Sequence, residues 1–158
     1  MIFMTVGKAD SPLCLDGEYK LIAETIIEIH DGILEKYKGF NPVLTEKEEE
    51  EQFSKLLSVV LTSFCTCMGC SPSERFADIF EQLANFACHL ASDHIFPDAN
   101  KRTTVKITLA LMYRSGYKLI VEDSPDPSAN EMYQWIEDLV QHKMDELELA
   151  SALKSFCE

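Results

Sequence analysis

Basic residues are scarce in this sequence. Its 158 residues include 14 Lys and Arg against 27 Asp and Glu, which gives a formal net charge of −13. A surface of this sign repels the phosphate backbone of nucleic acids, so general nucleic-acid binding is not expected. The length fits one domain, large enough to bury a core without disulfide or metal staples.

Long apolar runs are also missing. No run reaches the roughly 20 residues that cross a bilayer. Residues 1–10 lack the basic flank and the small-residue cleavage site of a secretion signal. We therefore expect no membrane association and a cytoplasmic location, where the six cysteines are reduced thiols.

The familiar nucleotide-binding motifs are absent too. The sequence contains no GxxxxGK[ST] element and neither the HRD nor the DFG element of protein kinases. P-loop and protein-kinase folds are therefore not supported.

Helical spacing of apolar residues, by contrast, recurs along nearly the whole chain. It predicts an all-α, compact bundle of about six helices formed by residues 18–158, preceded by an N-terminal extension, residues 1–17. The fourth helix is apolar on several sides, so we expect it to be central and most buried. A short extended piece should follow it at residues 117–122. The helices are expected at residues 18–37, from Thr45 to before Gly69, from Ser71 to Leu90, at residues 100–115, from a Ser128–Glu131 capping box onward, and around Leu149, Leu153 and Phe156.

Residues 94–102, HIFPDANKR, concentrate polar chemistry at the start of that fourth helix. The first N–H groups of a helix lack intrahelical partners and carry partial positive charge, so such an end binds phosphate. Lys101 and Arg102 fall in this first turn, where the helix dipole disfavours cations unless an anion binds there. A capped helix start with solvated charges is the plainer alternative, and the residues alone put the phosphate site only slightly ahead of it.

The other side chains of this segment suit the same chemistry. Asp98 offers a hard oxygen ligand to a magnesium ion that bridges phosphates. Asn100 can donate a hydrogen bond to a phosphate oxygen. Only His94 titrates near neutrality, which makes it the natural proton acceptor for an attacking hydroxyl. Phe96 is expected to turn inward and anchor the loop.

The segment resembles the signature of the Fic/Doc family, in which His-x-Phe-x-Asp/Glu leads into an Asn-centred anion hole and then Arg. HIFPDANKR is most similar to the Doc branch, and the resemblance covers most of residues 19–156, strongly at the motif and weakly elsewhere. It implies that His94 activates a target hydroxyl, that Asp98 helps to hold Mg²⁺, and that Ala99, Asn100, Lys101 and Arg102 bind the phosphates of ATP.

The resemblance also implies two reactions on a protein hydroxyl. Most relatives transfer AMP, whereas the Doc branch transfers the terminal phosphate to elongation factor Tu as a toxin. AMP-transferring members read Gly-Asn-Gly-Arg with a second Arg three residues on; here Ala99, Lys101 and Val105 occupy the three differing positions. These differences favour phosphoryl transfer, with AMP transfer and a catalytically silent binding protein as alternatives.

Inhibition is expected to come from a partner. Self-inhibited members carry Ser/Thr-x-x-x-Glu-Gly/Asn, and the nearest match, Thr45 to Glu49, is followed by Glu50. The resemblance therefore implies a Phd-type antitoxin acting in trans. We place a target-docking loop near residues 38–45.

A cysteine cluster offers one further reading. Cys65, Cys67 and Cys70, with Cys88 or His89, could in principle hold zinc. The spacing is not that of a standard zinc finger, and we favour incidental thiols at a helix end.

Overall fold

The computed structural model describes residues 10–158, which form seven α-helices and no β-strand. This confirms the predicted all-α class. The helices are α1 Tyr19–Tyr37, α2 Glu46–Phe64, α3 Pro72–Arg75, α4 Ile79–Ser92, α5 Asn100–Arg114, α6 Glu131–Val140 and α7 Glu146–Ser155. No helix of the described residues combines the length and apolarity needed to cross a membrane.

The predicted third helix is in fact two helices. Ser71 begins the first, with its backbone N–H donating to Glu74 Oε2 at 2.7 Å as a capping box requires. That helix ends after one turn, and Asp78 then caps α4 by accepting from Glu81 N at 2.9 Å. The prediction of one continuous helix was wrong because Asp78 supplies a second N-cap inside the apolar pattern.

The start of the sixth helix also differs from expectation. Asn130, and not Ser128, caps α6 by accepting from Tyr133 N at 2.8 Å. The backbone N–H and the hydroxyl of Ser128 both donate to Asp126 Oδ1 within a 3-10 turn, Pro127–Ala129. Because this turn engages Ser128, its hydroxyl does not cap the helix.

The core is centred on α4. Nine of its 14 residues are buried, against seven of 15 in α5. The expectation that α5 is the most buried helix is therefore wrong: α4 packs against α2, α5, α6 and α7, whereas α5 exposes Lys106, Ala110 and Tyr113. The apolar pattern of α5 nevertheless fixes it against α1, α4 and α6, so its N-terminus is rigidly placed.

Both ends of the described part of the chain pack onto this bundle. The described part of the predicted extension, from residue 10, is irregular, and Leu15 is buried with its N–H donating to Phe64 O at 2.7 Å; residues 1–9 lie outside the described residues. The extended piece after α5 is present, and Lys118 exchanges two backbone hydrogen bonds with Glu158. Gly116, with φ of +90°, makes the turn between α5 and this piece.

Candidate active site

The loop between α4 and α5, residues 93–99, carries most of the predicted site and has an uncommon backbone. His94 and Ala99 both adopt left-handed conformations, with φ of +51° and +65°. Ala99 occupies the N-cap position of α5, and no side chain of the described residues caps this helix. An acceptor from outside is therefore the natural partner for the first N–H groups of α5.

Asn100 holds the loop in shape. Its Oδ1 accepts from Phe96 N at 3.1 Å, and its Nδ2 donates to Phe96 O at 2.8 Å. The Phe96 side chain is only 2% exposed. Asn100, expected to bind phosphate directly, thus has one amide hydrogen engaged by the backbone and one left for a ligand.

His30 of α1 supports the same loop from behind. Its ring stacks on Phe96, with centroids 3.8 Å apart and planes 13° from parallel. Its Nε2 lies 3.0 Å from Asp98 O, an acceptor, so Nε2 carries the proton and donates. No signal in the sequence indicated this role of His30, because its partner Asp98 lies 68 positions further along the chain.

Asp98 connects the loop after α1 to the loop of residues 93–99. Its Oδ2 accepts from Phe40 N at 2.9 Å and its Oδ1 from Ala99 N at 2.7 Å. The hydrogen bond from Phe40 N, and after it that from Ala99 N, holds the pKa of Asp98 below its ordinary value. The carboxylate is therefore ionised at neutral pH. Gly39 permits the approach, because a Cβ there would lie 2.6 Å from Asp98 Oδ2.

The two cations at the start of α5 have partners in neighbouring elements. Lys101 Nζ lies 3.2 Å from Glu137 Oε1 of α6. The Arg102 guanidinium carbon lies 4.0 Å from the centre of the Tyr37 ring, a cation–π contact. Both side chains are partly exposed, so each can still face an anion in the cleft.

One cleft of about 410 Å³ brings these groups together. We call it the phosphate cleft. Six of the predicted site residues line it: His94, Asp98, Ala99, Asn100, Lys101 and Arg102. The seventh, Phe96, is buried beneath the loop. An imidazole, an ionised carboxylate, a guanidinium and an uncapped helix end therefore share one cleft.

The cysteines lie away from this cleft. Burial raises the pKa of the Cys65 thiol to about 11, which disfavours the thiolate that zinc binds. Cys67 Sγ donates to Leu61 O at 3.2 Å, and Cys70 is exposed. Within residues 10–158 no three His, Cys, Asp or Glu side chains are arranged to hold a metal ion.

The fold and the cleft together define a helical protein with a polar cleft at an uncapped helix N-terminus. The Fic/DOC family model matches residues 20–112, which span α1 to most of α5 and include the whole loop. The chain belongs to the Fic/DOC family. It is also similar to the protein kinase Doc of Escherichia phage P1, with 28% identity over 103 residues that cover 65% of this chain and 71% of that protein.

Proposed function

We propose that this protein transfers the terminal phosphoryl group of ATP to a Ser or Thr hydroxyl of another protein. The observation that carries the proposal is the presence of His94, Asp98 and Arg102 around one cleft at the uncapped start of α5. The likeness to a protein whose name is protein kinase Doc supports this reaction.

Phosphate binding rests on the helix end and on Arg102. The open N–H groups of α5 provide directional donors, and the helix dipole adds partial positive charge. Arg102, held against Tyr37, presents a planar set of donors that matches a phosphate group. These fixed donors stabilise charge on the transferred group without reorganisation during the reaction.

Proton transfer is assigned to His94. Its side chain is exposed at the phosphate cleft, where a substrate hydroxyl can reach it. As the hydroxyl oxygen forms its bond to the γ-phosphorus, His94 accepts the hydroxyl proton. The bond from the γ-phosphorus to the β,γ-bridging oxygen breaks, and ADP leaves with the electron pair. General-base catalysis of this kind contributes about 10²–10⁴-fold.

Asp98 fits the magnesium ion that ATP chemistry requires. Its carboxylate is ionised and borders the cleft. Each of its oxygens accepts one backbone hydrogen bond, which leaves a lone pair for a hard cation. Mg²⁺ bound there would neutralise phosphate charge. Asp98 itself is positioned by Phe40 N and Ala99 N.

A second cleft, next to the phosphate cleft, is available for the nucleoside part of ATP. It measures about 240 Å³, shares Tyr37, Arg102 and Tyr133 with the phosphate cleft, and continues towards Lys106 and Pro125. We place the ribose and base of ATP here.

Transfer of AMP is the closest alternative. Val105, at the position of the second Arg of AMP-transferring members, is 6% exposed and cannot contact a phosphate as a cation would. The Lys101 side chain, in place of a glycine, projects to Glu137. Both features favour a nucleotide pose with the terminal phosphate at His94.

The experiment uses two labelled forms of ATP. The protein is incubated with Mg²⁺ and a bacterial lysate, and separately with purified elongation factor Tu, once with γ-labelled and once with α-labelled ATP. His94→Ala is the inactive variant. His89→Ala, an exposed histidine on α4 that lines neither cleft, is the matched control.

Label from γ-ATP alone, lost in His94→Ala and kept in His89→Ala, is the expected result. Label from α-ATP would establish AMP transfer instead. Nucleotide binding without label from either form would favour a catalytically silent binding protein.

A toxin function follows from the same proposal. Modification of a translation factor such as elongation factor Tu would stop growth, and a Phd-type antitoxin acting in trans would be needed to control it. Expression from an inducible promoter should arrest growth with wild type and not with His94→Ala.

A further inference from the structure

We call the loop of residues 93–99, which carries His94, the catalytic loop. A groove lies across this loop from the phosphate cleft. It runs between α1 and α2, is bordered by the loop of residues 38–45, and measures about 650 Å³. We call it the α1–α2 groove. Pro97 lines both this groove and the phosphate cleft, so only the catalytic loop separates them.

Part of the groove lining is apolar. Ile27, Leu44 and Phe53 form part of it and are each partly exposed. Beside them, Val43 is 99% exposed and Phe40 66% exposed. Phe40 N donates to Asp98 Oδ2, which holds the Phe40 end of this apolar surface beside the site.

Carboxylates surround this apolar surface. Asp31, Glu46, Glu49 and Glu50 line the groove, and none of the other described lining residues is Lys or Arg. The helix dipole accounts for acidic residues in the first turn of α2, Glu46 and Glu49. Asp31, in the middle of α1, has its Oδ1 3.2 Å from Nδ1 of His30, which also lines the groove. Neither the dipole nor such a contact accounts for Glu50, beyond the first turn of α2. The groove is thus complementary to a segment with apolar and basic side chains and repels a nucleotide.

The groove also leads to the reacting group. A third cleft of about 340 Å³ shares Leu44, Gln52 and Pro97 with the α1–α2 groove, and His94 lines it. His94 therefore lies where this cleft meets the phosphate cleft. A chain that fills the groove and continues along it brings its next residues to His94.

We propose that the α1–α2 groove binds the segment of the substrate protein next to the modified hydroxyl, and that it selects segments with Lys or Arg beside apolar residues. This inference rests on the proposed function, because it assumes a protein substrate at His94. The two substrates then bind to surfaces of opposite charge. Cations on one side of the loop bind the nucleotide, and carboxylates on the other side bind the protein.

The test is equilibrium binding of two fluorescent peptides without ATP at about 0.15 M salt. Each peptide has a central Thr flanked by Val, with Lys in one and Glu in the other. Glu49→Lys changes the groove. Glu148→Lys is the matched control, because Glu148 is exposed in the first turn of α7 and does not line the groove. Both substitutions change the net charge equally.

We expect saturable binding of the Lys peptide only, weakened roughly fivefold by Glu49→Lys and unchanged by Glu148→Lys. Equal weakening by both variants, equal binding of both peptides, or no saturable binding would overturn the assignment. So would self-association abolished by Glu49→Lys, since the occupant would then be a second copy of the chain.

Failure of the proposed function gives a different result. A Lys peptide that binds in a Glu49-dependent way and takes no label from ATP would refute the transfer reaction and leave the groove assignment intact. Transfer of phosphate to both peptides at equal KM would refute the groove assignment and leave the transfer reaction intact.

Discussion

Gly39 is the position where one added methyl group tests how the site is built. A Cβ at residue 39 would lie 2.6 Å from Asp98 Oδ2 and 2.6 Å from Leu34 Cδ2. Neither atom is free to retreat, because Asp98 is held by Phe40 N and Leu34 is 5% exposed. Gly39→Ala therefore has to move the catalytic loop, the end of α1, or both.

The cost follows from these contacts. Restoring a normal separation of about 3.5 Å moves Asp98 by about 1 Å. The Phe40–Asp98 hydrogen bond, 2.9 Å long, is then lost. A bond to a charged group contributes about 1.5–3 kcal/mol, which solvent exposure reduces to about 1–2 kcal/mol here. Crowding of Leu34 adds about 1–2 kcal/mol. We expect Gly39→Ala to lower the unfolding free energy by about 2–4 kcal/mol.

Urea denaturation measures the effect, and calorimetry of Mg-ATP binding reports whether Asp98 has moved. Gly32→Ala is the control: it adds the same methyl group within α1, meets nothing within 4 Å, and should stabilise by about 0.5–1 kcal/mol. In an Asp98→Ala background, Gly39→Ala should cost about 1–2 kcal/mol less. Unchanged stability in Gly39→Ala, or an undiminished cost in that background, would refute the reasoning.

Three further predictions concern the same loop. His30→Phe keeps a ring against Phe96 but leaves Asp98 O without its donor, so urea denaturation should show a loss of about 1–3 kcal/mol; full retention of stability would contradict the contact. Ala99→Gly should raise the unfolding free energy by about 1 kcal/mol because φ is +65°, whereas Ala110→Gly, exposed within α5, should lower it by a similar amount; changes of the same sign would contradict this. Because the pKa of Asp98 is lower in the folded state, its ionised carboxylate stabilises the fold at pH values above the ordinary aspartate pKa. That stability is lost as the pH falls through the folded pKa. Asp98→Asn should therefore lose less stability than wild type on acidification below about pH 4, and parallel pH curves would exclude the effect.

Local features of the sequence predicted most of the helices. Local patterns placed α1, α5 and the start of α2 to within a residue or two, since a helical pattern depends only on neighbours along the chain. The end of α2 was predicted just before Gly69 and lies at Phe64. Capping signals were less reliable where two candidates competed. Asn130, and not Ser128, caps α6 because Ser128 is bonded within the preceding 3-10 turn. Which residue caps the helix therefore depends on the course of the chain before it.

The same local reasoning identified residues that line one cleft and missed the distant residues that hold the loop. HIFPDANKR is contiguous, so its side chains lie close to the start of α5 once that helix forms. The contacts of His30 and Phe40 with Asp98 span 68 and 58 positions. No periodicity encodes such pairs, because they arise only when α1 packs against α5.

By itself, the sequence determined an all-helical chain and the chemical groups of its catalytic loop. The tertiary structure decided how that loop is held, which side chains pair with Lys101 and Arg102, and that carboxylates from α1 and α2 face one groove. The physical reason is the range of the interactions. Helix formation and capping act over a few residues, whereas clefts form where elements distant in sequence pack together.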